Sequence, residues 1–226
     1  MRLPVLRRRC SFPKNFPYAS LPREMRILHT VLVIAILLVA IALGISLWPE
    51  GDISHPPGVL VPSSPQQIPI KNLDLGERHG FRLTAVAEFR LKARVLHCRR
   101  YHSDWQRKLV PIDVALGWGP MSDEAVLDQL RIKQANRAFY YEWRGTPPLP
   151  KNTMREHASN MHLIAATEDI SRRIRNLRKG TLAEFEGYLV NARNAEGMTW
   201  NTSLSRQDEG NGACELFYVR RLSVEN

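Results

Sequence analysis

The chain has 226 residues, 32 basic and 22 acidic, for a net charge of +10. From about Lys71 to Asn226 the chain is the size of one ordinary domain. The excess charge suggests nucleic acid at first sight, but Arg2, Arg7, Arg8, Arg9, Lys14, Arg23 and Arg26 all precede the first apolar run. The part after Trp48 holds 25 basic and 21 acidic residues, only +4, and no nucleic-acid partner is expected.

Residues 1–27 form a basic segment. Its first 24 residues, with four prolines and no helical or strand period, are either a misplaced translation start or a tail drawn to anionic lipid. From Val31 to Trp48 there is no charge, a run long enough for a membrane-crossing helix. Residues 28–48 therefore read as a transmembrane signal anchor. A cleaved signal peptide is the rival, with Ala40-Ile41-Ala42 and Ala42-Leu43-Gly44 as its cleavage candidates. Basic residues lie before the run, and none follows until Lys71. The charge rule then puts the N-terminus in the cytoplasm and the remainder in the periplasm, on a single-pass inner-membrane protein.

Residues 49–70 hold Pro49, Pro56, Pro57, Pro62, Pro65 and Pro69, and predict an extended stalk. Residues 71–226 predict one α+β domain with an antiparallel sheet, curled into an OB-like barrel in its most closed form. Phe89, Leu91, Ala93 and Val95 alternate with charged residues, as a half-wet strand requires. Ser122 before Asp123 and Glu124 predicts an N-capped helix through Leu130. Residues 138–143 read as an aromatic strand. Thr167 caps a second helix whose stripe is Ile170, Ile174 and Leu177, and Gly180 ends it. Strands follow at 182–192, 198–204 and 213–219, the first two joined by a turn at Asn194–Gly197.

No complete catalytic signature appears: HExxH, paired CxxC, GxSxG and Walker loops are all missing. Ser11–Lys14 matches SxxK on the cytoplasmic side of the anchor and reads as chance. Gly117-Trp118-Gly119-Pro120-Met121-Ser122 has Ser122 where a dinucleotide fingerprint needs its third glycine. It reads as a tight turn into a helix with Trp118 in the core, and no cofactor is expected.

The densest polar block is Arg155–His162. His157, Asn160 and His162 are the catalytic candidates, and His157 and His162 the metal-ligand candidates. Five residues apart, the two imidazoles do not share a helix face. Asp113, Asp123, Asp208 or Glu215 would have to complete the set in space. Thr153 and Glu156 match a capping box, a structural use for part of the block. Basic residues 90–108 and 172–179 read as solvated faces, with lipid headgroups or envelope polymers as the anionic alternative. Cys98 and Cys214 form an even pair outside the cytoplasm, open to a disulfide or to two separate thiols, while Cys10 stays reduced inside.

The blocks VALGWGPMSD at 114–123, HASNMHLI at 157–164, GYLV at 187–190 and NGACE at 211–215 resemble a group of uncharacterised bacterial membrane-anchored proteins with a single extracytoplasmic domain. The resemblance implies an inner-membrane setting and transfers no activity. Two functions stay open. One is an extracytoplasmic binding or accessory module of the envelope, with a protein or envelope-polymer partner. The other is an envelope hydrolase with a histidine-centred, metal-dependent or metal-free site.

Overall fold

The computed structural model describes residues 22–46, 51–208, 210 and 212–225, in two units divided between Glu50 and Gly51. The N-terminal tail with Cys10 and Ser11–Lys14 lies outside the described residues, as does Trp48.

In the first unit, α1 spans Arg23–Ser46 and is long and apolar enough to cross a membrane. Its apolar side chains, among them Leu32, Ile34, Leu37 and Leu38, are exposed. A core helix would bury them, so α1 is a candidate single-pass anchor.

The second unit is α+β. In chain order its elements are β1 (Gln66–Arg78), β2 (Phe81–Arg100), β3 (Ile112–Gly117), α2 (Glu124–Leu127), β4 (Arg131–Ala135), β5 (Ala138–Glu142), α3 (Lys151–Glu156), β6 (Ala158–Ala165), α4 (Glu168–Arg175), β7 (Leu182–Asn194), β8 (Thr199–Trp200) and β9 (Glu215–Val224). The long β2 pairs with β7 from Phe81 to Arg94 and with β3 from Arg94 to Arg100. It therefore closes the order β2-β3-β6-β9-β7 back onto itself. Every pairing in this five-strand ring is antiparallel except β6 with β9. This is the Greek-key topology of an OB barrel, with one parallel pair that the antiparallel expectation lacked.

Inward residues of the five strands make the core: Phe89, Leu91, Val114, Leu116, Met161, Leu163, Phe185 and Phe217, with Phe89 edge-on to Phe217 at 5.1 Å. Thr167 caps α4 through its side chain, and Ile170, Ile174 and Leu177 enter the same core, as the stripe predicted. Gly187 sits in the β7–β9 seam, where a Cβ would lie 1.9 Å from the Tyr218 carbonyl oxygen.

The proline-rich stretch is not a stalk. Ile53 N–H donates to Lys179 O (2.9 Å), Gly58 N–H to Asp123 Oδ1 (2.8 Å), and Leu60 and Val61 N–H to Ser122 Oγ (3.1 and 3.0 Å). Val61 is fully buried in the core, and β1 begins at Gln66. Proline suits the part before β1, whose described backbone donors bond side chains and loops and not a regular ladder. Gly180, at φ +89°, leaves room for Ile53 that any side chain would fill.

Three local expectations change. The cap of α2 is Asp123, which accepts from Ala125 N–H, because Ser122 is already engaged by the strap; α2 stops after one turn. Thr153 lies inside α3, whose cap position is Pro150, so no capping box forms there. Of 198–204 only Thr199–Trp200 pairs as strand, since the following loop folds over the barrel. Gly117–Ser122 is the expected turn, with Trp118 buried.

Candidate thiol-histidine site

β6 is buried along nearly its whole length on both faces. Met161 and Leu163 point into the barrel, so Asn160 and His162 must point out of it. The antiparallel register sets Asp113 of β3 directly opposite His162, and Ala115 opposite Asn160. The parallel register pairs Met161 with Glu215, and one step earlier Cys214 comes beside Asn160. Three neighbouring strands thus put Asp113, His162, Asn160 and Cys214 on one outward face. This is the strand face on which OB barrels take ligands.

Asp113 is completely buried, and its Oδ1 lies 2.8 Å from His162 Nδ1. That bond leaves Nε2 as the ring's other nitrogen, and Cys214 is among the groups that act on the ring. Burial opposes a charged ring here, but hydrogen bonds to Asp113 and Cys214, and the charges behind them, outweigh it and push His162 up to about 9. Trp200 covers the ring at 4.7 Å between centroids.

Asn160 fixes the sulfur from the other side. Its Nδ2 donates to Cys214 Sγ (3.4 Å) and to Arg137 O (3.1 Å), while its Oδ1 accepts from Gln134. Gln134 in turn meets His97 Nδ1 at 2.8 Å, so the amide is held in one orientation. Cys214 donates weakly to Arg137 O at 3.7 Å.

Arg137 closes the site. It sits with Asn136 in the two-residue turn between β4 and β5, both at positive φ. Its guanidinium bonds Asp113 Oδ1 (2.8 Å), both oxygens of Asp104 (3.1 and 2.8 Å) and Val110 O (2.9 Å), and it stacks 3.6 Å above the Tyr101 ring. Burial, then the Asp113 charge and its hydrogen bond, push Tyr101 up to about 12.

Cys214 opens on its far side to a cavity of about 290 Å³ between β5, β6 and the loop before β9. Arg155, Ser159, Asn160 and Arg206 line it, and His162 does not. Glu215 at its floor is buried but neutralised by Arg206 and bonded by Ser159.

Of the sequence candidates, the structure unites His162 and Asn160 and separates His157. The His157 ring donates from Nδ1 to Thr153 O (2.8 Å) and packs where a Cβ on Gly119 would lie, 2.4 Å from its Cδ2. It locks the turn after β3, assisted by its own carbonyl, which accepts from Trp118 N–H at 2.9 Å. The two histidines therefore share no ligand site, and among the described residues no three His, Cys, Asp or Glu side chains converge for a metal ion. Nor do Cys98 and Cys214 bridge; both are free. Cys98 packs beside the barrel core, where burial pushes its thiol up to about 12, and Cys214 belongs to the site. Arg137 was absent from the sequence candidates, its one signal being a non-glycine residue after Asn136 in a tight hairpin. Comparison with family models, with curated proteins and with solved structures returns no match.

Proposed function

We propose that this is a membrane-anchored, extracytoplasmic hydrolase or acyl transferase of the bacterial envelope, with Cys214 as nucleophile, His162 as acid and base, and Asp113 as orienter. The carrying observation is the His162 ring bonded to Asp113 through Nδ1, with Asn160 on the next outward position of the same strand bonded to the Cys214 sulfur, which lines a cavity. In a Cys-His arrangement the imidazole takes the thiol proton, and the resulting ion pair supplies the thiolate. The thiolate attacks the acyl carbonyl of an ester or amide, and collapse of the adduct expels the leaving group, which takes its proton from His162. Water or an acceptor hydroxyl or amine then attacks the thioester with His162 as base, releasing the acyl product and restoring the thiol. No metal enters the scheme.

The full chain in detergent, offered fluorogenic esters and acyl-peptides, is expected to turn over at least one of them. Cys214→Ser should abolish that turnover, while Cys98→Ser leaves it intact. Activity surviving Cys214→Ser would overturn the assignment. A topology reporter fused after Asn226 tests the compartment: activity only of a cytoplasmic reporter would reverse it.

A binding or accessory module without catalysis is the second reading, favoured by the location of the cavity on the usual OB ligand face. It expects Cys214→Ser to keep its grip on an envelope polymer or protein that the native chain captures.

A further inference from the structure

We infer that Arg137 is a positioning residue for the Cys214–His162 pair, setting the range of pH over which His162 keeps its proton by dividing its charge between Asp113 and Asp104. The inference rests on the thiol-histidine reading of the site.

Three observations carry it. First, the residue is placed at a conformational cost. Two-residue hairpin turns favour glycine after asparagine, because both positions need positive φ. Here Arg137 takes that place at φ 63°. A side chain kept where glycine is easier has work that glycine cannot do.

Second, the same residue touches both ends of the relay. Its guanidinium shares Asp113 Oδ1 with His162 Nδ1, each at 2.8 Å. Its carbonyl accepts from Asn160 Nδ2 and from the Cys214 thiol. A movement of the turn therefore shifts acid, base and nucleophile together.

Third, the charges around His162 are few and each has a place. Asp113 comes from β3, Tyr101 and Asp104 from the segment between β2 and β3, Arg137 from the β4–β5 turn and Cys214 from the start of β9. Trp200 covers the ring without charge. Arg155, Arg206, Asp208 and Glu215 stand on the cavity side. Within this set Arg137 is a cation competing with the imidazolium for one carboxylate oxygen. Asp104 draws part of that cation away.

The signs follow. Removing the guanidinium leaves Asp113 to His162 alone, so the ring keeps its proton to higher pH. Removing the Asp104 charge commits Arg137 more fully to Asp113, so the ring loses its proton at lower pH. An arginine that acts only by packing would leave the limb in place when its charge is removed, whatever Asp104→Asn does.

The test is alkylation of Cys214 by iodoacetate, in the full chain in detergent with Cys10→Ser and Cys98→Ala. The thiolate displaces iodide, and the anionic reagent is drawn by the imidazolium beside it. The rate therefore falls as His162 loses its proton, and His162→Gln should erase that falling limb. Arg137→Gln is expected to move the limb up by about one pH unit, and Asp104→Asn to move it down, by the scale of one nearby partly buried charge. Arg137→Lys, which keeps the charge, should restore most of the native position. Should Arg137→Gln fail to fold, Asp104→Asn against Arg137→Lys still gives the sign. Limbs that coincide in all foldable variants, or that shift in one common direction, would overturn the inference while leaving the nucleophile assignment standing. A native chain with no falling limb, or one that survives His162→Gln, would overturn the thiol-histidine reading and this inference with it.

Discussion

The two faces of β6 are buried almost equally, yet they hold opposite chemistry. Met161 is 0% exposed and Leu163 1%, facing Phe217 and Val114 inside the barrel; His162 and Asn160 are 3% exposed on the outer side. The inner face needs no further explanation, since removing such side chains from water drives folding. The outer face works against folding, because every buried polar atom must find a partner or cost free energy. A chain concerned only with stability would have carried apolar residues on both. Asp113, His162, Asn160 and Arg137 lie there in one bonded network, and the proposed chemistry rests on this layer.

The largest expected effect separates the faces directly. Asp113→Ala strands both His162 and Arg137 without their shared carboxylate, and breaking a buried ion pair costs about 3 to 5 kcal/mol. Phe217→Ala on the inner face costs about the same, through the cavity it leaves. Denaturant midpoints should therefore fall alike. Cys214 alkylation should lose its pH limb only in Asp113→Ala. An unchanged limb in that variant would mean that the polar layer is packing of an unusual kind.

The inner face was also the more readable from sequence. Phe89 to Val95 alternate with charges, and that pattern became β2 as expected. The same period runs through Met161 and Leu163 against Asn160 and His162, but its polar members are as compatible with ligand spacing as with the wet face of a strand. His157 falls just before β6, as the C-terminal cap of α3, and that placement separates it from His162 on the strand. The placing of Cys214 beside β6 depends on a parallel pairing between residues 54 apart in sequence, and no local pattern encodes such a register. The strap at 51–61 was misread for the converse reason. Its prolines dominate its composition, while its fixing depends on distant acceptors, Ser122 Oγ, Asp123 Oδ1 and Lys179 O.

A difference of intermediate size should appear on raising the pH. His162 is held at about 9 in the fold against an ordinary 6.5 when unfolded. A raised value means the folded state binds the proton more tightly, so the contribution is complete below about 6.5 and is lost as pH rises through about 9. Stability measured by urea melts should decline across that window, and His162→Gln should flatten the decline. At the acid end Glu124 acts oppositely. Burial opposes its charge, but the Arg94 bond and the His55 amide hold its carboxyl below the usual range, so its contribution is present above about 4.5 and lost as pH falls. This loss loosens the strap, because Glu124 accepts from His55 N–H, and it leaves the polar layer untouched. A melt series with no alkaline decline would place the proton of His162 elsewhere in the polar layer.

The smallest effect is the sharpest contrast, because it sets one histidine against another. His157 has one ring hydrogen bond, to Thr153 O, and its packing against Gly119. Neither contact reaches Asp113, Arg137 or Cys214. His157→Ala removes that bond and part of the packing, for a cost of about 1 kcal/mol. The turn at 118–121 keeps its main-chain bonds, among them Gly119 N–H to Val61 O and Met121 N–H to Trp118 O. The midpoint of a urea melt should therefore drop slightly, with the Cys214 alkylation rate and its pH limb unchanged. His162→Ala in the same assay should erase the limb. Should His157→Ala erase it as well, the two histidines would be coupled through β6 after all, and the division of labour between its ends would be lost.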